Sequence, residues 1–297
     1  MTEKILEKEM QLLDTPKSRS GLRDFAKRLF KSKGAIFGFT IIVLLLVSAI
    51  FAPIIARYEY DAQSLKDMLK PPSAENPLGT DEFGRDIFSR IIYGTRISLQ
   101  VGFIAVGLSL MIGVVLGALA GYYGGVVDYI ISAITDIAWA FPVSLLAIAF
   151  IAALGPSLVN VMIAVALVSW AAFARLVRGQ FLSLREQEFV EAARVLGMSD
   201  SRIIFRHILP NALAPIIVLT TLEVPKAIIV ESSLSFLGLG AQPPTPSWGS
   251  IMSSGRSYIM QAPWIAVFPG VMIMLIVLGF NLFGDALRDT LDPRLRD

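Results

Sequence analysis

The sequence predicts an all-α polytopic membrane protein with six transmembrane helices, and three observations carry that prediction. Hydrophobic residues make up 55% of the 297-residue chain and charged residues 17%. The mean hydropathy of +0.66 lies far above that of an ordinary soluble domain. Six apolar stretches approach the roughly 20 residues that a helix needs to cross a bilayer. They fall near 34–56, 97–121, 129–153, 157–174, 212–231 and 264–284.

The first stretch follows a charged tail. No short apolar segment precedes it and no small-residue cleavage site follows, so it reads as a retained helix. The second carries Ser109, Gly113, Gly117 and Gly121 at intervals of four, a face on which another helix can pack closely. Gly155-Pro156 separates the third stretch from the fourth. The fifth contains Glu223, Pro225 and Lys226, and Pro225 is expected to kink it. No internal repeat is found.

Lys and Arg set the orientation. The tail up to Lys33 carries nine, the loop 175–211 six and the loop 231–263 only Arg256. Both termini are therefore expected in the cytoplasm, with 57–96 and 231–263 outside. The loop 57–96, with six basic and seven acidic residues, fits this least well. Four segments follow: a cytoplasmic tail 1–33; a transmembrane helix with an outer loop, 34–96; a core domain 97–284; and a cytoplasmic tail 285–297.

Composition also excludes chemistry. One His and no Cys rule out disulfides, thiolate sites and a His-rich metal site. A net charge of +2 does not point to nucleic acid. No G-x-x-x-x-G-K-[ST] phosphate loop occurs, and there is no Gly-Lys dipeptide at all. The chain is not expected to bind ATP through such a loop. Any ATP-driven step would need a separate chain.

The most informative segment lies in the loop 175–211. Glu191-Ala192-Ala193 is followed by Gly197, and then by His207, Ile208, Leu209 and Pro210. Alanines let a partner surface approach, and Gly197 permits a sharp turn. Ser199 and Asp200 are expected to cap a second short helix that Pro210 helps to end. A generic basic loop would more often be an amphipathic helix on the inner leaflet. Fixed offsets of Ala-Ala, Gly and Leu-Pro favour a docking element instead.

Two outer segments are candidates for docking. In 78–86, Asp81, Arg85 and Asp86 belong to a turn leading into an amphipathic helix, or to a platform at the pathway mouth. In 235–249, three prolines stiffen a loop ending at Trp248, expected as an interfacial anchor. This loop either receives a delivery protein or is a re-entrant loop without a binding role. Within the membrane, Glu223 and Lys226 share a helix face and are expected to neutralise one another. A pore-facing gate is the alternative for that pair, and Asp136 is a second candidate for it. Catalytic and metal-ligating residues are not expected.

These segments resemble the permease subunits of ATP-binding-cassette importers, whose EAA loop reads EAA, Gly, nine residues, I-x-L-P. His207 stands where that loop has Ile. The segments 79–86 and 235–249, with the tail Gly284-Asp285…Leu291-Asp292-Pro293-Arg294, narrow the resemblance to the C-type permease of the peptide/nickel family. The resemblance implies a type I importer fold in a bacterial or archaeal inner membrane. It implies a second permease, two ABC ATPase subunits that carry ATP and Mg, and an extracytoplasmic solute-binding protein, with lipid around the chain. Dipeptides or oligopeptides are the commonest solutes of such systems; a nickel chelate, glutathione, an opine or an oligosaccharide stays open. A stand-alone secondary transporter would need an array of intramembrane carboxylates, and a membrane enzyme a nucleophile with its base. The sequence offers neither.

Overall fold

The computed structural model describes residues 21–291. The described residues are helical, joined by turns and loops, and their one β-bridge pairs Thr80 with Asp86. The helices are α1 (Gly21–Leu29), α2 (Lys33–Ile50), α3 (Ala52–Ile55), α4 (Ile87–Tyr123), α5 (Gly125–Ala140), α6 (Val143–Leu154), α7 (Leu158–Leu184), α8 (Glu188–Val195), α9 (Asp200–Ile203), α10 (Leu209–Phe236), α11 (Trp248–Gly255) and α12 (Trp264–Leu291). Five helical stretches are each long and apolar enough to cross a membrane, and α5 with α6 makes a sixth crossing if taken together.

The third crossing is broken where a straight helix was expected. α5 and α6 meet at a bend of 93°. The cause is local. Pro142 has no N–H and disfavours helical geometry in the residue before it. Phe141 is accordingly extended, at φ −105° and ψ 141°.

Other boundaries shift outward. α4 starts ten residues before 97, because the Asp86 side chain caps it by accepting from the Ser89 N–H at 2.8 Å. At 37 residues, α4 is about 55 Å long, well beyond the ~30 Å of hydrocarbon. α7 runs on to Leu184 instead of ending near 174.

The stripe of small residues on α4 is the seam of the molecule. A Cβ on Gly117 would lie 2.5 Å from the Ala174 carbonyl oxygen, and one on Gly121 2.5 Å from the Phe181 Cβ. Gly113 meets Phe173 in the same way. Contacts advance together along both helices, so α4 and α7 run parallel. The chain between them must therefore return across the membrane, and the broken α5–α6 pair provides that return. α2 packs antiparallel on α12 through Gly38 and Gly279, the sixth helix closing on the first.

Candidate functional site

The hairpin after α7 is built on a buried seat. Val190 and Ala193 of α8 and Ile203, Ile204 and Ile208 beyond it are buried against Val177, Phe181, Ala212 and Ile216. The opposite face is open. Glu191 and Ala192 are exposed beside Phe189, Val195 and Leu196, with Phe205 on the second arm. Val195 and Leu196 are 83% and 75% exposed, more than solvent alone would favour for adjoining large apolar side chains.

Gly197 ends α8 at φ +71°. Its N–H donates to the Arg194 carbonyl at 2.9 Å, and the Met198 N–H to the Ala193 carbonyl at 3.1 Å. These paired bonds form a Schellman closure, which needs a left-handed residue at that position. Nothing lies within 4 Å of a Cβ built there, so backbone geometry alone calls for glycine.

The second arm departs from expectation. Ser199 holds the cap position of α9, but its side chain makes no capping bond. Pro210 starts α10 instead of ending a helix. A π-helical turn, Ile204–Ile208, leads into it, so the helix runs unbroken from Asp200 to Phe236. The wider turn makes room for the proline ring against the preceding turn, where a regular α-helix would clash. His207 lies in that turn, partly buried, and its backbone oxygen accepts from the Asn211 amide at 2.6 Å. Leu209 is partly buried and Pro210 exposed.

Sequence reasoning missed the link between this hairpin and α4. The Tyr122 hydroxyl donates to Asp200 Oδ1 at 2.7 Å. The Arg194 guanidinium lies 5.7 Å from the Tyr122 ring centroid, and Arg185 Nη1 donates to the Gly121 carbonyl at 3.2 Å. Tyr122-Tyr123 before Gly124-Gly125, at the end of an apolar span, was the available signal.

The outer candidates are internal. Asp81, Arg85, Asp86 and Trp248 are 1%, 6%, 4% and 0% exposed, so these four side chains do not themselves face a docking protein; of the two alternatives for 78–86, the turn leading into a helix is the one the structure has. Asp81 accepts from the backbone N–H groups of Phe83 and Arg85 and from Arg85 Nε at 2.6 Å. Asp86 also accepts from the Asn76 amide at 3.0 Å. Trp248, read as an interfacial anchor, is wholly buried and donates to the Ile91 carbonyl at 3.3 Å. These side chains shape the outer loops from within. At the surface of the same loop the Lys70 ammonium and the Ser64 hydroxyl hold the Asp67 carboxyl below its usual pKa.

Lys226 Nζ donates to Glu223 Oε1 at 2.7 Å, so the expected pair exists. Its members differ: the Glu223 side chain is 9% exposed and that of Lys226 64%. Asp136 pairs with Arg175 at 2.6 Å. Glu231, which the sequence reading passed over, is fully buried at the end of α10 and accepts from Ser235 at 2.7 Å and from Ser232 and Ser98. Among the described residues no group of three or more His, Asp or Glu is placed to hold a metal ion.

A membrane core of parallel α4 and α7 with a braced hairpin fits one class, the permease component of an ATP-binding-cassette importer, and comparison with known proteins shows that family. Residues 113–297 match the family described as binding-protein-dependent transport system inner membrane component, and residues 20–72 match the N-terminal transmembrane domain of oligopeptide transport permease C. The chain belongs to that inner membrane component family and is a permease subunit of an ATP-binding-cassette importer. It is 54% identical to the dipeptide transport system permease protein DppC of Alkalihalophilus pseudofirmus, over 92% of this chain and 90% of the relative. It is 45% identical to the oligopeptide permease OppC of Bacillus subtilis, over 94% and 92%. It is 46% identical to the glutathione permease GsiD of Pectobacterium atrosepticum, over 94% and 93%. The fold is similar to a chain of the MetNI methionine transporter in inward-facing conformations, with a TM-score of 0.57 at 18% identity, covering 69% of this chain and 98% of that one.

Proposed function

We propose that this permease carries dipeptides or oligopeptides, paired with a second permease, and that each permease is driven by an ATPase docked on its cytoplasmic hairpin. In this chain the docking segment is 188–210, with Glu191, Ala192, Gly197 and the apolar tip at Val195 and Leu196 in contact. His207, Leu209 and Pro210 fix the second arm behind it. The observation that carries the reading is the division of the hairpin into a buried face seated on α4, α7 and α10 and an open face of small, acidic and apolar residues. A hairpin made only for the lipid surface would not need the Gly197 closure or the Tyr122 brace.

Nucleotide binding and hydrolysis, with Mg, belong to the ATPases. An extracytoplasmic binding protein delivers the solute to the loops 57–86 and 237–247. Both termini are cytoplasmic, with 1–33 and 285–297 as the tails, 34–96 as the first crossing with its outer loop and 97–284 as the core. ATP shifts the permease pair only as far as the ATPases bind the two conformations differently through the hairpins. The peptide assignment rests on the names of the relatives. Glutathione, itself a peptide with free charged ends, is the second reading, because relatives of comparable identity carry that name.

The test is purification of the tagged chain from its own membrane, followed by reconstitution with its binding protein. The expected preparation contains a second permease and ATPase subunits and takes up labelled dipeptide or oligopeptide on ATP. Uptake of glutathione alone would move the assignment to the second reading. A preparation active as this chain alone would overturn both.

A further inference from the structure

Two acid–base pairs bridge α5 and α7. In one, the Arg178 guanidinium donates through Nε and Nη2 to Asp128, the latter at 2.7 Å, and the Ser132 hydroxyl donates to Asp128 at 3.1 Å. In the other, Arg175 Nη2 donates to Asp136 Oδ1 at 2.6 Å, and the Arg175 guanidinium lies 3.9 Å over the Trp139 ring. The first pair is shielded, with side chains 19% and 37% exposed. The second is open, with Asp136 69% and Arg175 47% exposed. A cavity of about 310 Å³ adjoins them, with Ser132, Thr135 and Arg178 in its wall.

An open pair between two helices of the membrane core is informative. Asp136 lies about 16 Å along α5 from its first residue, and Arg175 about 13 Å before the end of α7, at 1.5 Å per residue. A long arginine can snorkel to the headgroups, but a carboxylate on one methylene cannot. Hydrocarbon against Asp136 would be costly, so its open side faces protein or water.

We propose that Asp136, Arg175 and Trp139 form a transit site for the two charged ends of a peptide, on the pathway between this chain and the second permease. The proposal rests on the peptide reading above. A zwitterion can enter by exchange of partners. Its ammonium takes the place of the guanidinium on Asp136, and its carboxylate takes the place of Asp136 on Arg175. Every charge stays paired in the empty and the occupied site. Occupancy then gains little free energy, which suits a site that must also release its cargo. Trp139 covers one face of the Arg175 guanidinium and leaves its N–H edge for a carboxylate fork. Such a site reads only the ends that all unblocked peptides share. Arg178, held by both Nε and Nη2 on Asp128, fixes the adjoining wall.

The test uses the reconstituted complex with Asp136→Asn, Arg175→Gln and the double variant. All three are expected to retain binding-protein-stimulated ATP hydrolysis, while peptide uptake falls by about 10- to 100-fold, because one or both charged ends of the cargo are left without a partner in the site. A merely structural pair behaves differently: the double variant, with no stranded charge, recovers uptake, and that result overturns the proposal. A second measurement does not depend on these variants folding. The chain has no Cys, so Ser132→Cys provides a single thiol in the cavity wall. It is expected to react with a water-soluble thiol reagent in the assembled complex, and more slowly while peptide is being transported. A thiol that stays unreactive throughout turnover places the cavity against lipid or a sealed interface and also overturns the proposal. Failure of the peptide reading looks different again: the wild-type complex itself then takes up no peptide.

Discussion

Gly197 and Tyr122 mark the two ends of what single residues contribute to the hairpin. Gly197 is held at φ +71° with open space where a side chain would go. Substitution there costs only backbone strain, about 1–2 kcal/mol for an ordinary residue and less for Asn. Membrane insertion is expected to survive every change, while stimulated ATP hydrolysis falls in the order Gly, Asn, Ala, Val. Full stimulation with Gly197→Val would remove this turn from the coupling surface. Tyr122→Phe deletes the hydroxyl that donates to Asp200 and leaves the ring under Arg194. A hydrogen bond to a charged group contributes about 1.5–3 kcal/mol. The expected result is normal expression and basal hydrolysis with a weakened response to the binding protein. An unchanged response would make the bond incidental.

At the scale of elements, the span of greatest interest is the one that composition described least well. The stretch 129–153 reads as one apolar run, and its length and hydropathy are real. Hydropathy carries no direction, however, and Pro142 turns the chain by forcing Phe141 out of the helix. Pro210 misled in the opposite sense. A proline that should stop a short helix instead lies within the continuous helix Asp200–Phe236, where the π-turn before it absorbs the ring. The glycine stripe on α4 was legible because close helix approach depends on small residues at a fixed interval. For Asp81, Arg85 and Asp86 the turn before a helix was legible as one of two alternatives but the choice was not, and Trp248 was misplaced as an anchor, since sequence does not distinguish a polar loop displayed to a partner from one folded around its own ion pairs. The pair in α10 was legible at three-residue spacing, but its asymmetry was not. Glu223 is buried and Lys226 is open. Lys226→Met strands a carboxylate, at ~2.5–3.5 kcal/mol on insertion scales, and is expected to lower assembled complex more than Glu223→Gln. The double change should recover assembly. Singles that assemble normally but fail to transport, with an inactive double, would make the pair a pore element.

The whole molecule is organised by one long rod. α4 begins at the loop 57–86, where Asp86 caps it, and ends at Tyr122 and Tyr123 beside the hairpin, a 37-residue helix with α7 fitted along its glycines. The hairpin and the loop 57–86 thus lie at the two ends of one element. Orientation is testable with single cysteines in this Cys-free chain. Ser73 and Gln242 are exposed in the two loops proposed to lie outside and Ser183 is exposed before the hairpin, whereas Ser247 is buried and would make a poor probe. A membrane-impermeant thiol reagent added outside is expected to label cysteines at 73 and 242 and to miss one at 183. Labelling at 183 in intact cells would invert the topology.

Docking of an ATPase on the hairpin is the claim on which the functional account turns. Ala192 is exposed on the open face of α8, between residues that seat the helix and residues that would meet a partner. The most direct measurement places a single cysteine there, forms a short-reach cross-link in membranes and identifies the partner by mass spectrometry. The account predicts a cross-link to an ATP-hydrolysing subunit, with a yield that changes when nucleotide is added. A cross-link only to lipid or to a second copy of this chain, in membranes that still transport, would contradict it.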